Sequence, residues 1–164
     1  YLKGSVLDLG CGLGNLSLEA ARRGHDAVAV DASPSAIRHV REQTALESLT
    51  VRAIEADVGD WSIDGSYDTI VCIGLLMFFP RRRALEILRS VQAHVAEGGR
   101  AVVNVITEGT TFTDMFEPGH HYFFRRDELV EAFCGWRVLL SRADTRPSPR
   151  QTWKVFDTVV AERS

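Results

Sequence analysis

The sequence predicts an α/β domain with a doubly wound, seven-stranded, mostly parallel sheet. Three observations predict it. Short Val- and Ile-rich runs recur along the chain, stretches of helical spacing separate the first five of them, and a glycine-rich turn follows the first. The runs expected to be strands are residues 5–9 (SVLDL), 27–31 (AVAVD), 51–56 (VRAIEA), 67–74 (YDTIVCIG), 100–106 (RAVVNVI), 136–141 (WRVLLS) and 155–161 (VFDTVVA). Runs this apolar, joined by helices, suit strands buried on both faces with right-handed crossovers.

The helices follow in order. Residues 16–23 and 34–46 carry apolar groups at helical spacing, and in residues 82–95 Leu85, Leu88, Val91 and Val95 fall on one face. Ser33 stands as the N-cap of the second helix with Pro34 at its first position, and the EGG of residues 97–99 reads as a helix stop. After residue 106 the rhythm changes. One more helix is expected around Asp127–Phe133, and then two strands joined by the Pro-containing loop RADTRPSPRQ, which are free to pair antiparallel.

Composition sets the outer limits. With 164 residues, 45% of them hydrophobic, the chain suits one domain over 1–164, with room for a further segment ahead of Tyr1. The net charge of −3 gives no general attraction to nucleic acid or an anionic membrane. No apolar run approaches a membrane span, so a soluble protein is expected, with a small-molecule substrate; the scattered cysteines suit a cytoplasmic setting. Three scattered cysteines, Cys11, Cys72 and Cys134, read as buried, reduced thiols, and no metal site is expected.

Ligands of such sheets bind outside the carboxyl ends of the strands, which points to VLDLGCGLGN at residues 6–15. The glycines are Gly10, Gly12 and Gly14, one residue short of the G-x-G-x-x-G dinucleotide pattern. No GK[ST] ending follows, and Asp8 would repel a pyrophosphate. A ligand with a cationic centre and a separate carboxylate fits better, its cation near Asp8 and its carboxylate near the helix start. Asp8 also has a plainer use, bracing the turn through backbone N–H groups. Asp31 ends the second strand where a carboxylate holds the two hydroxyls of an unphosphorylated ribose. Asp57 and Val58 end the third beside the expected position of adenine. Ile73, Leu75, Met77, Phe78 and Phe79 make an apolar exit from the fourth, either core or a wall whose rings attract a sulfonium.

VLDLGCGLGN, VAVDASPSAI, EADVGDW and YDTIVCIGLLMFFP, in this order, resemble the Rossmann-like S-adenosylmethionine-dependent methyltransferases over almost the whole chain. The resemblance implies strand order 3-2-1-4-5-7-6 with strand 7 antiparallel and S-adenosylmethionine as cofactor. It implies Asp8, Gly10 and Gly12 around the methionine portion, Asp31 on the ribose, Asp57 and Val58 at adenine, and backbone near Cys72 and Ile73 on the amino group. Cys11, Asn15, Ala32 and Met77 join them as cofactor-binding candidates.

LLMFF and YFFRRDELVEAFCGWRVL further resemble the tellurite-resistance methyltransferases, which implies a tellurium or selenium oxyanion as acceptor. That family uses His and Arg near the final hairpin. Here ADTRPSPRQTWK supplies Arg146 and Arg150 but no histidine, so His121 of EPGHHYFF is the catalytic candidate beside them. Arg125, Arg126 and Arg142 are further anion-holding candidates. If the acceptor is instead a hydroxyl or amine of a small metabolite, His120, His121 or Tyr122 would serve as base, with Phe112, Phe116, Tyr122 and Phe123 as an aromatic lid. A DNA adenine methyltransferase would show an Asn/Asp-Pro-Pro-aromatic tetrapeptide where this chain has GLLM. A cofactor-binding module without catalysis and a nicotinamide oxidoreductase are the remaining alternatives.

Overall fold

A computed structural model describes residues 1–117 and 119–164. The strands are β1 (Val6–Leu9), β2 (Ala27–Asp31), β3 (Val51–Glu55), β4 (Tyr67–Ile73), β5 (Val95–Ile106), β6 (Arg137–Ser148) and β7 (Thr152–Glu162). The helices are α1 (Asn15–Arg22), α2 (Pro34–Leu46), α3 (Arg81–His94) and α4 (Glu128–Ala132). The strands form one sheet in the order β3-β2-β1-β4-β5-β7-β6. β7 runs antiparallel to both β5 and β6, and the remaining pairs are parallel. No helix among the described residues is long and apolar enough to cross a membrane.

Alternation along the strands divides the core. Leu7, Leu9, Ile70, Cys72, Val103 and Val159 pack with Ile87, Leu88 and Val91 of α3 and Leu129 of α4. Val6 and Val71, pointing the other way, meet Ala20 and Leu16 of α1. α2 keeps its expected bounds because Ser33 Oγ accepts the Ala36 N–H at 3.3 Å, while Pro34 starts the first turn with its fixed φ.

Four expectations change. The buried stripe of α3 is Ala84, Ile87, Leu88 and Val91, with Leu85 only half-buried at its border. EGG does not stop a helix: α3 ends at His94, and Val95–Gly99 enters β5, with Val95 opposite Tyr67 and the Gly98 N–H donating to Arg163 O at 2.9 Å. RADTRPSPRQ is mostly strand, because β6 continues to Ser148 in register with β7 and turns only at Pro149–Gln151. Pro147 is tolerated there because β6 is the sheet's edge. Of the cysteines only Cys72 is buried; Cys11 is half-buried, Cys134 is exposed, and all three are free.

Candidate functional site

The carboxyl ends of β1, β2 and β3 and the exit from β4 converge on a cavity of about 310 Å³. It is lined by Gly10, Asp31, Ala32, Asp57, Val58, Leu75, Phe78 and Phe79. Five of the residues expected to hold a cofactor therefore share one wall, and three of the five from the apolar exit face them.

Gly10, Gly12 and Gly14 all adopt positive φ, which folds the chain back between β1 and α1. Gly14 also sits against α2: a Cβ there would lie 2.6 Å from Val40 Cγ2. The early third glycine thus brings the two helices together.

Asp31 is fixed from two sides. Its Oδ2 accepts the Gly12 N–H at 2.8 Å and its Oδ1 the Ser33 N–H at 2.8 Å. Each oxygen keeps a second acceptor site. Asp57 is exposed, with Oδ1 accepting the Gly59 N–H at 2.7 Å in a local turn. Val58 beside it is buried.

Asp8 does not open onto the cavity. It is 3% exposed, and its Oδ2 accepts Ser17 Oγ–H at 2.6 Å and Ser17 N–H at 3.2 Å, so the carboxyl braces the first turn of α1. Burial outweighs the two Ser17 hydrogen bonds and raises its pKa to about 6. The expected cation partner is thus a buried strut under the turn. Burial, with nearby Asp8 and Asp31, pushes the Cys11 thiol up to about 12, and burial does the same for Cys72. Neither thiol is a ready nucleophile.

Other candidates fall outside this wall. Cys11 and Gly12 lie in the turn itself and Asn15 is exposed at the start of α1. Met77 is 2% exposed and belongs to the core. Ile73 lines a second cavity of about 270 Å³ with Asn104, Arg142, Asp144, Arg146, Phe156 and Thr158. In it Asn104 Nδ2 donates to Thr158 Oγ1 at 2.9 Å, Arg142 pairs with Asp144 at 2.7 Å, and Arg146 lies 5.9 Å from the Phe156 ring centroid.

The three expected catalytic residues are not brought together. Arg150 sits at the hairpin turn, its guanidinium 2.6 Å from Asp114, while Arg146 faces the second cavity. His121 enters an aromatic cluster, its ring 5.1 Å from Phe116 and 5.0 Å from Phe123, with Phe116 5.3 Å from Phe78. Arg125 reaches toward Glu128 and Glu131, and Arg126 lines a separate cavity beside α4.

Tyr122 is unsuited to act as a base. Its hydroxyl donates to Glu128, accepts from Arg81 Nε at 3.2 Å, and is pushed above the usual phenol range by burial and by Glu128. Of the aromatic residues expected to form a lid, Phe116 and Phe123 cluster with His121, Tyr122 pairs with Phe124, and Phe112 lies under Lys154 Nζ at 4.5 Å. Sequence reasoning missed Glu128, which ties Tyr122, Arg125 and Arg81 together. Glu128 takes two of its three partners, Tyr122 and Arg125, from its own segment and only Arg81 from a distant one.

A family model described as a methyltransferase domain matches residues 6–99. The chain belongs to this methyltransferase domain family. The domain is 35% identical over 137 residues to a protein named Hemagglutinin 1 from Eikenella corrodens, covering 82% of this chain and 44% of that one. It is 32% identical over 135 residues to the probable S-adenosyl-L-methionine-dependent methyltransferase TehB of Haemophilus influenzae (strain 10810), covering 82% and 46%. The domain spans about half the length of these curated relatives. The crystal structure of TehB from Haemophilus influenzae matches its fold with a TM-score of 0.86 at 24% identity, over 98% of this chain and 57% of that one. Magnesium protoporphyrin IX methyltransferase from Synechocystis, solved with bound S-adenosylmethionine, matches at 0.71 and 17% over 97% and 69%. The strand order, including the antiparallel seventh strand, is that of the methyltransferase fold.

Proposed function

We propose that this chain binds S-adenosylmethionine in the cavity at the glycine turn and transfers its methyl group to a small acceptor. The observation that carries the reading is the wall shared by Gly10, Asp31, Ala32, Asp57 and Val58. Asp31, already oriented by two backbone N–H groups, offers paired acceptors for the two ribose hydroxyls. Val58, Leu75, Phe78 and Phe79 offer apolar surface to a flat base, and Asp57 Oδ2 takes no protein hydrogen bond among the described residues. Bound S-adenosylmethionine supplies an activated methyl group: an acceptor lone pair bonds to the methyl carbon while the C–S electron pair stays on sulfur, leaving a neutral thioether. The residues of this chain contribute alignment and exclusion of water.

A tellurium or selenium oxyanion draws support from the likeness to TehB and from Arg146, whose guanidinium faces the second cavity. Pairing of Arg125, Arg142 and Arg150 with Glu128, Asp144 and Asp114 leaves less free positive charge for an oxyanion and supports the second reading, a hydroxyl or amine acceptor. A cytoplasmic setting belongs to the same proposal and rests on the three unpaired cysteines. Incubation with methyl-labelled S-adenosylmethionine and a panel including tellurite, selenite, phenols and amines tests it. Label should leave the donor for one of these acceptors, and absence of S-adenosylmethionine binding would refute the proposal.

A further inference from the structure

Among the described residues, the crossover from β3 to β4 carries no helix. Residues 56–66 join these strands as a turn and extended chain, on the face of the sheet that also holds α3. A helix is the usual cover for a parallel connection. Here Val28 and Ile54 of that face stay only half-buried, and a cavity of about 320 Å³ opens between the crossover and α3. We infer that this cavity is a second ligand site, that it takes an uncharged, flat aromatic molecule with a hydrogen-bond donor and acceptor, and that its occupant strengthens cofactor binding next door. The coupling, though not the site, rests on the S-adenosylmethionine reading above.

The lining sets the chemistry of the ligand. Leu9, Ile63 and Ile87 are buried and Trp61 is half-buried, so a flat ring finds apolar surface and an indole to cover. Ser62, Ser90 and His94 bring hydrogen-bonding groups. His94 Nδ1 donates to Ser90 O at 2.7 Å, which leaves Nε2 of the neutral ring as an acceptor, while the serine hydroxyls can donate. The charged residues of the lining, Arg83 and Glu86, hold each other at 2.9 Å. That pair presents no net charge to draw in an ionised ligand. The volume lies at the small end of the range for small-molecule sites, enough for one ring with a short substituent.

One turn serves both cavities. Asp57 and Val58 stand on the wall of the cavity at the glycine turn, and Val58 and Trp61 on the lining of this one. The Trp61 N–H donates to Asp57 O at 2.8 Å and the Gly59 N–H to Asp57 Oδ1 at 2.7 Å, closing residues 57–61 into one turn. Arg83 of α3 donates to Gly59 O and straps the turn to the helix. On its other side the turn meets Phe79 of the first cavity, whose Cε1 would lie 3.0 Å from a Cβ on Gly59. A ligand lodged between Trp61 and α3 holds the turn where Asp57 and Val58 face the cofactor, and by linkage the cofactor strengthens the ligand by the same factor.

The chain has three tryptophans, Trp61, Trp136 and Trp153, of which Trp61 lines the cavity. The protein is labelled with 5-fluorotryptophan, the Trp61 ¹⁹F signal is assigned from Trp61→Phe, and benzamide and benzoate are titrated separately. The expected result is a saturable shift of the Trp61 signal with benzamide at millimolar concentration, a far smaller one with benzoate, and little movement of Trp136 or Trp153. Ser90→Phe, which puts a ring into the cavity from α3, should abolish the Trp61 response, and Ser90→Ala should keep it. By calorimetry, saturating benzamide should raise the affinity of the unmodified protein for S-adenosylmethionine about 5-fold or more. No Trp61 shift with benzamide, or an equal one with benzoate, would overturn the site. An unchanged affinity for S-adenosylmethionine would overturn the coupling, as would a fall, which would mean that benzamide competes in the cavity at the glycine turn. Failure of S-adenosylmethionine to bind at all would instead sink the methyl-transfer reading, with the Trp61 signal still deciding the site.

Discussion

The carboxylate of Asp31 accepts the backbone N–H of Gly12 at 2.8 Å, joining the end of β2 to the middle of the glycine turn. That bond orients an acid at the cavity wall and holds the turn that forms its floor. Asp31→Ala removes both functions. S-Adenosylmethionine affinity should fall about 10- to 100-fold, the size expected for losing hydrogen bonds to a charged group at roughly 1.5–3 kcal/mol. Calorimetric titration of the variant checks it.

Gly12 and Gly14 separate strain from packing. Both have positive φ, but a Cβ at Gly12 meets nothing within 4 Å, whereas at Gly14 it lies 2.6 Å from Val40 Cγ2. Gly14→Ala should cost about 1–3 kcal/mol more than Gly12→Ala, the excess coming from overpacking. Urea denaturation of the two variants measures the difference.

Asp8 makes stability depend on pH. Its folded pKa of about 6 lies above the ordinary carboxylate value, so the folded state favours the protonated form. This contribution is full below about pH 4 and is lost as pH rises through 6; the pKa difference corresponds to roughly 3 kcal/mol. Asp8→Asn keeps an acceptor for Ser17 without ionising. Relative to the unmodified protein, the variant should gain stability between pH 4 and 7, and a flat difference would contradict the assignment.

Glu128 ties the segment ahead of α4 to α3. It is 7% exposed and accepts from Tyr122 Oη–H, from Arg125 N–H at 2.9 Å and from Arg81 at 3.0 Å. Burial alone would raise its pKa, but these donors outweigh it and hold the carboxyl below its usual range. Glu128→Ala leaves a half-buried phenol and a backbone N–H without their acceptor, while the exposed Arg81 guanidinium turns to water, and should destabilise the fold by about 1–3 kcal/mol. Tyr122→Phe, which removes one donor, should cost about 1 kcal/mol. Thermal unfolding of both variants ranks them.

The elements up to β4 were legible because local signals agree with the tertiary outcome. Ser33 with Pro34 marks the start of α2, and AVAVD is β2 residue for residue. The length of β6 was not legible, since Pro147 and Pro149 read as loop while register with β7 overrides them at an edge where a missing N–H costs little. The cavity wall was largely legible because strand ends in a parallel sheet fall on one rim. Asp8 shows the limit: its spacing placed it beside the turn, but the side-chain direction, toward Ser17, follows from how α1 packs.

The most direct test of the central claim is titration of the protein with S-adenosylmethionine and, separately, with NAD, at neutral pH by isothermal calorimetry. The predicted result is saturable one-to-one binding of S-adenosylmethionine, weakened by Asp31→Ala, with no heat from NAD. Binding of NAD without S-adenosylmethionine would contradict it.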